Sequence, residues 1–276
     1  MTEGCPWNLC TFCWLYKGEG APSFKIRSWN EISKDLTKAK ESCSYATNFF
    51  LGGSNAICAE TPLLLDILQY VHNHFPQVPH INISSYARAS DILRKRDDEL
   101  KQLHENGLQT IYVGIETGSS TLLKRCKKGI TPSDIIRASK KAINAGFILS
   151  VNVILGLGGK KFSEEHVIET IRILNAINPH MIRFRTLHIL PNSPLFLDVH
   201  EGIFEELQPR EILKEQRRII KNLTVQTEIY NDHSSNFAQF GGKLPEEKNK
   251  MLTILESLIN DPYLEFSQPK LSEIDY

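Results

Sequence analysis

Apolar and polar positions along this chain follow a rhythm that predicts strands and helices in turn. Short apolar runs rich in β-branched residues recur about every thirty residues, and a segment with helical spacing follows each of them. Pro62 and Pro132 stand where two helices are predicted to begin, and a Ser28–Glu31 capping box predicts the start of another. The predicted strands cover residues 47–51, 80–85, 109–115, 147–155 and 180–187.

This alternation predicts an α/β fold in which a parallel sheet carries helices on its outer face, as a partial (β/α)6-type barrel. After residue 190 the rhythm changes: a helix, a short strand near 223–229, a polar loop and a last helix are predicted. We therefore predict a barrel domain over 1–190 and a mainly helical extension over 191–276, packed on the barrel. In such architectures ligands bind at the carboxyl ends of the strands.

Composition and charge narrow the functional classes. The chain has 276 residues, of which 41% are hydrophobic and 23% charged, as in ordinary globular proteins. Lys+Arg and Asp+Glu both number 32, so net charge gives no sign of a large nucleic-acid surface. No segment approaches the ~20 apolar residues of a membrane span. No basic region followed by an apolar run opens the sequence, so we expect no secretory signal. We expect a cytoplasmic protein, in which clustered cysteines serve metals or catalysis more often than disulfides.

Three cysteines, Cys5, Cys10 and Cys13, lie within one short loop. Thiolates suit iron–sulfur clusters or zinc. A closed structural site needs four protein ligands, and no fourth Cys or His lies nearby, whereas three ligands on a four-iron cube leave one iron open. The alternative is a zinc site completed by a distant cysteine such as Cys43 or Cys58.

The cysteine loop, its aromatic Phe12 and the βα repeat resemble the radical S-adenosylmethionine superfamily. The stretch from Gly4 to Arg27 is similar to an uncharacterised branch related to coproporphyrinogen-oxidase-like and methylthiotransferase-like members. Its C-x4-C-x2-C spacing departs from the commonest C-x3-C-x2-C and matches a minority pattern of that branch. The resemblance implies a 4Fe–4S cluster on the three cysteines, with S-adenosylmethionine as the second cofactor, and a 5′-deoxyadenosyl radical that removes hydrogen from an unknown substrate.

The resemblance also implies cofactor contacts at strand ends. The family's Gly-Gly-Glu is matched by two glycines with serine in third place, and part of its glycine-rich adenine-contacting element follows residue 153. A plain turn, a helix cap or a salt bridge is the alternative at individual positions. The candidate cofactor-binding residues are Gly52, Gly53, Ser54, Ser85, Glu116, Ile154, Gly156 and Arg185.

Other expectations concern substrate and partners. His233 and Asn236, in the polar loop of the extension, are candidates to touch substrate, and an ordinary exposed loop is the alternative. Family members usually have a strand before the cysteines, but only residues 1–4 stand there in this sequence. The first barrel strand is therefore predicted to be missing, and the strand at 47–51 to be an unpaired edge prone to self-association.

The implied partner is an electron donor such as flavodoxin or ferredoxin. A zinc- or cluster-stabilised binding protein without turnover, and a degenerate family member that holds a cluster without cleaving the cofactor, are the remaining alternatives.

Overall fold

The computed structural model describes residues 1–75 and 82–264. The strands in these ranges are β1 Thr2–Glu3, β2 Lys25–Ile26, β3 Asn48–Leu51, β4 Asn82–Ala87, β5 Leu108–Glu116, β6 Ile148–Leu155, β7 Met181–Thr186, β8 Thr227–Asn231 and β9 Phe240–Leu244. The α-helices are α1 Trp29–Ser42, α2 Thr61–His74, α3 Ala89–Arg94, α4 Asp97–Glu105, α5 Ser120–Arg125, α6 Pro132–Asn144, α7 Gly159–Ile177, α8 Leu195–His200, α9 Pro209–Asn222 and α10 Lys248–Ile259.

Within the described ranges, seven strands form one sheet in the order β3-β4-β5-β6-β7-β8-β9. Neighbours from β3 to β8 pair in parallel, and β9 pairs antiparallel with β8. The predicted fold class, a partial parallel barrel with outer helices, is confirmed. The short strand before the cysteines, β1, pairs with β2 in a separate antiparallel pair, so β3 stands at the edge of the main sheet.

The two faces of the sheet differ in burial because successive side chains in a strand point to opposite faces. Val113, Val151 and Ile182 are fully buried against the helices. The opposite face is concave and only partly covered; Tyr112 and Asn152 belong to it. We call the space bounded by this face the lumen, and polar or aromatic side chains project into it.

The part of the chain after residue 190 is mainly helical, as predicted, but it also extends the sheet. β8 continues the parallel order beyond β7, and β9 occupies a segment that was predicted to be a polar loop. α9 begins with Pro209 and a Gln208–Glu211 capping box, and it packs against α10. The domain boundary at 190 stays a prediction, since the sheet runs across it. Among the described residues, no helix is long and apolar enough to cross a bilayer.

Candidate active site

The loop that carries the three cysteines follows β1 and is held by main-chain hydrogen bonds on two sides. The Thr11 N–H donates to the carbonyl of Cys126, just after α5, at 3.0 Å. The Leu195 N–H at the start of α8 donates to the Thr11 carbonyl at 2.9 Å. The loop is therefore fixed by elements from distant parts of the sequence.

Within the loop, Asn8 makes the turn between the first two cysteines. Its φ of +47° lies in the left-handed region, which asparagine tolerates better than most residues. Its side-chain amide donates to the Tyr16 carbonyl at 2.7 Å, and Lys17 donates to its carbonyl. Its backbone N–H donates to the Cys5 sulfur at 3.5 Å. Such hydrogen bonds to sulfur are among the features that tune iron–sulfur clusters.

Trp7 anchors the loop to the segment between α5 and α6. Its indole N–H donates to the Lys127 carbonyl at 2.7 Å, and the Arg88 guanidinium lies 4.8 Å from its ring centre. Gly129 has a φ of +73°, and a Cβ there would lie 2.1 Å from the Trp7 ring. Only glycine fits this approach without a shift of the indole.

A buried ion pair lies beside the cysteine loop. Lys128 Nζ is 2.5 Å from Glu116 Oε1 and 5.9 Å from the centre of the Phe12 ring. Burial lowers the pKa of Lys128, but Glu116 and the Cys10 thiol raise it more, so the net pKa is raised and the ammonium keeps its charge. Glu116 itself has a φ of +61° and follows an irregularity in the pairing of β5 with β6, which places its carboxylate over Gly114.

The cysteine environment fits an anionic metal cluster. Burial raises the pKa of Cys10, whereas Lys128 lowers it, and burial likewise raises the pKa of Cys13. Half-buried thiolates need compensating positive charge, and Lys128 lies where it would supply part of that charge to a bound cluster. In the described residues, no three His, Cys, Asp or Glu side chains are arranged to hold one metal ion. A cubane cluster offers each thiolate its own iron, so its ligands do not have to meet at a point.

The cysteines outside the loop have other surroundings. Cys43 is exposed at the end of α1. The Cys58 thiol donates to the Asn55 carbonyl at 3.0 Å, and burial raises its pKa to about 11. Cys126 lies directly beneath the loop, and burial raises its pKa to about 12.

The predicted cofactor residues after β3 contact the segment that leads into the cysteine loop. Gly53 has a φ of +103°, and a Cβ there would lie 2.1 Å from Thr2 Oγ1. The Ser54 hydroxyl donates to the Gly4 carbonyl at 2.8 Å, and the Gly52 carbonyl accepts from the Thr2 N–H at 3.5 Å. These residues hold the loop from below, while the Cα of Gly52 faces open space.

The glycine-rich element after β6 is held by a carboxylate that sequence reasoning missed. The Gly156 N–H donates to Glu215 Oε1 at 2.6 Å, and the Ser163 hydroxyl donates to Oε2 at 2.7 Å. Glu215 is 2% exposed and lies on α9. In the sequence, Glu215 could have been recognised as an acidic residue on the apolar stripe of an amphipathic helix. Ile154 lies on the lumen face, opposite Arg185 in register.

Ser85 lies on the other face of the sheet from the one that the cofactor prediction requires. It is fully buried on the helix-covered side of β4, and its hydroxyl bonds to the carbonyl of Tyr86 at 2.9 Å. Its neighbour Tyr86 projects into the lumen instead, where 42% of it is exposed. We therefore leave Ser85 out of the proposed cofactor site.

The two substrate candidates of the polar loop have different surroundings. The Asn236 amide donates to the Phe184 carbonyl at 2.9 Å and to Asn231 Oδ1 at 2.8 Å, and it is 7% exposed. It fixes the loop to β7 and does not face the lumen freely. His233 is half-buried, and burial, Arg185 and His188 lower its pKa to about 4. A neutral imidazole near Arg185 is therefore the part of this loop that can meet a ligand.

A mostly parallel partial barrel with a three-cysteine loop at its mouth defines a class of cofactor-dependent barrel proteins. The profile of the Radical SAM superfamily matches residues 1–174, more than half of the chain. The chain belongs to the Radical SAM superfamily, whose members generally use a 4Fe–4S cluster and S-adenosylmethionine. The resemblance seen in the sequence is confirmed.

Known relatives share the fold more than the sequence. The chain is 25% identical over 229 residues to the 4'-phospho-dehydrooxetanocin synthase of Priestia megaterium, covering 72% of this chain and 29% of that protein. Methylornithine synthase superimposes with a TM-score of 0.55 at 17% identity, covering 81% of this chain and 61% of that one. Coproporphyrinogen III oxidase HemN of Escherichia coli superimposes with a TM-score of 0.57 at 15% identity, covering 79% and 50%. The chain thus spans less than two thirds of each relative.

Proposed function

We propose that this chain is a radical enzyme that holds a 4Fe–4S cluster through Cys5, Cys10 and Cys13 and reductively cleaves S-adenosylmethionine. When bound, the cluster supplies one electron to the sulfonium, which yields methionine and a 5′-deoxyadenosyl radical that takes hydrogen from a substrate. The observation that carries this proposal is the three-cysteine loop fixed at the mouth of a superfamily barrel.

Residues beside the cysteines would supply positive charge to the cluster and hold that charge in a fixed position. Lys128 places a positive charge beside the cysteines, and Glu116 orients that charge through its 2.5 Å ion pair. A fixed cation in a poorly solvated site offsets the negative charge of a thiolate-bound cluster. Glu116 is also the acidic residue that the resemblance assigns to the cofactor, and one carboxylate oxygen is left for that contact.

The strand-end residues shape the cofactor pocket. Gly52 leaves open space above its Cα, whereas Gly53 and Ser54 hold the chain before Cys5. Ile154 offers an apolar surface in the lumen, and Gly156 lets the backbone turn at a φ of +80°. We propose that the cofactor lies between these two strand ends, with its methionine end toward the cysteines. A flavodoxin or ferredoxin is proposed as the electron donor.

Anaerobic reconstitution with iron and sulfide, followed by dithionite and S-adenosylmethionine, tests the proposal through the yield of 5′-deoxyadenosine. We expect about four irons per chain and product that Cys10→Ala abolishes. Cys43→Ala is the matched control, because that thiol is exposed and outside the loop. Stoichiometric zinc without sulfide would defeat the proposal. A bound cluster without product would instead indicate a member that has lost cofactor cleavage.

A further inference from the structure

The lumen carries a wall of aromatic rings that the described part of the chain leaves partly exposed. Phe50, Tyr86 and Tyr112 come from three neighbouring strands, and their ring centres lie 4.9 to 6.0 Å apart. Phe50 is 47% exposed and Tyr86 42% exposed, although both lie on sheet strands. Grouped exposed rings in a concave site are typical of surfaces that bind a ligand.

Positive charge lies beside this wall, on the same face of the sheet. Arg183 lies over the rings of Tyr112 at 5.6 Å and Tyr230 at 4.3 Å, and it reaches Asp232 at 3.5 Å. Arg185 has no carboxylate at ion-pair distance in the described residues, and its Nη1 donates to the Phe184 carbonyl at 3.1 Å. Of the two guanidinium groups, only that of Arg183 has a carboxylate at ion-pair distance among the described residues, so Arg185 lacks a directly bound counter-ion there.

The aromatic wall and the unpaired cation lie close enough for one small molecule to contact both. Arg183 lies 5.6 Å from the centre of the Tyr112 ring, and Arg185 follows two residues later on the same face of β7. Tyr86 and Glu116 also interact electrostatically with Arg185. Two buried polar atoms on residues paired in register on this face, Asn152 Oδ1 and Arg183 Nε, have no hydrogen-bond partner in the described residues. A partly buried guanidinium without a counter-ion is costly unless an anion completes it.

We propose that the lumen binds a substrate with a planar ring and an anionic group, the ring against Phe50, Tyr86 and Tyr112 and the carboxylate or phosphate on Arg185. Arginine suits this role because its planar fork binds either anion through two parallel hydrogen bonds. The amide of Asn152 accepts a donor from the ring. This inference names the substrate class of the enzyme proposed above and rests on that proposal.

Calorimetry on the reconstituted chain, saturated with S-adenosylmethionine to fill the cofactor site, tests the inference. The probes are two ring-bearing anions, indole-3-acetate and uridine 5′-monophosphate. Indole-3-acetamide and uridine are their neutral counterparts, and acetate and ribose 5-phosphate are their ring-free counterparts. We expect at least one ring-bearing anion to bind about tenfold more tightly than both counterparts, because charged hydrogen bonds and ring contacts then add.

Variants separate the two halves of the site. Arg185→Gln should weaken binding of the ring-bearing anion about 10- to 100-fold, and Arg185→Lys should restore part of it. Tyr86→Leu should weaken the ring-bearing anion but leave the ring-free anion unchanged. Arg137→Gln and Tyr45→Leu, both on exposed surface, are the matched controls and should bind as wild type.

Three outcomes would overturn the inference: no probe binds, ring-free anions bind equally well, or Arg185→Gln weakens only S-adenosylmethionine. The last result would indicate that Arg185 binds the carboxylate of S-adenosylmethionine and not the substrate. Formation of 5′-deoxyadenosine is measured in parallel on the wild type. Ring-anion binding without that product would defeat the proposed enzyme activity and leave the lumen site standing.

Discussion

Replacing Glu215 should loosen the glycine element after β6 and with it the cofactor pocket. The carboxylate accepts from the Gly156 N–H at 2.6 Å and from the Ser163 hydroxyl at 2.7 Å, and it is 2% exposed. His166 Nε2 lies 3.6 Å from the same carboxylate and has no hydrogen-bond partner among the described residues. One side chain thus ties together β6, α7 and α9.

The magnitude follows from the two hydrogen bonds. A hydrogen bond to a charged group contributes about 1.5–3 kcal/mol. Glu215→Ala removes both hydrogen bonds and leaves their buried donors without an acceptor. The free energy of unfolding should therefore fall by about 3–5 kcal/mol. Glu215→Gln keeps the shape of the side chain and one acceptor oxygen, but its NH₂ group then faces either the Gly156 N–H or the Ser163 hydroxyl. That variant should lose about 1–3 kcal/mol.

Urea unfolding followed by circular dichroism measures the stability, and calorimetry measures the affinity for S-adenosylmethionine. Glu164→Gln is the matched control, because the Glu164–Arg218 pair also joins α7 to α9 but is exposed. An exposed pair contributes less than about 1 kcal/mol. Equal losses in the two glutamine variants would refute the stability reasoning. Lost stability with unchanged cofactor affinity would refute the link to the cofactor pocket.

Further outcomes follow from the same contacts. His233 has a pKa of about 4 in the folded chain, against an ordinary value of 6.5. The unfolded chain therefore binds the proton at higher pH, and the free energy of unfolding should decline as pH falls from 6.5 toward 4. His233→Gln should make this decline smaller, as measured by the urea midpoint at each pH. Gly129→Ala should release iron, because its Cβ would meet an indole ring at 2.1 Å, whereas Gly20→Ala meets open space at a similar backbone angle. Lys128→Met should make the reduction potential of the cluster more negative in an electron-paramagnetic-resonance titration, and the exposed Lys127→Met should not. If the open edge of β3 drives association, sedimentation should show concentration-dependent dimers, and a clean monomer would count against it.

The strand–helix rhythm was predictable because apolar periodicity is local information. The helices and strands that the sequence did not predict are those whose apolar pattern is too short or is interrupted by glycine. α3 and α5 have six residues each, less than two helical turns. β9 contains Gly241 and Gly242, and glycine is depleted in strands, so the segment was interpreted as a loop.

The candidate site shows the same division between local and distant information. The cysteines and the strand-end glycines could be proposed from the sequence because their spacing is short, and their roles stay a prediction. Ser85 was misplaced because a shift of one residue along a strand moves a side chain to the other face. Lys128 and Glu215 were missed because their partners, Glu116 and Gly156, lie 12 and 59 residues away. Only the folded chain brings such groups together.

The contacts of the cysteine loop indicate that residues beyond 190 are needed to hold the candidate cluster site in place. Leu195 donates to the Thr11 carbonyl, and the Asn192 amide donates to the Trp14 carbonyl at 3.2 Å. β8 covers the edge of β7, the strand that carries the lumen arginines. A chain ending at residue 190 would lose all three supports, although all of the residues that the family profile matches, 1–174, would remain. We expect such a chain to retain less iron than the full chain after reconstitution, because its cysteines would lie in a loop fixed on one side only.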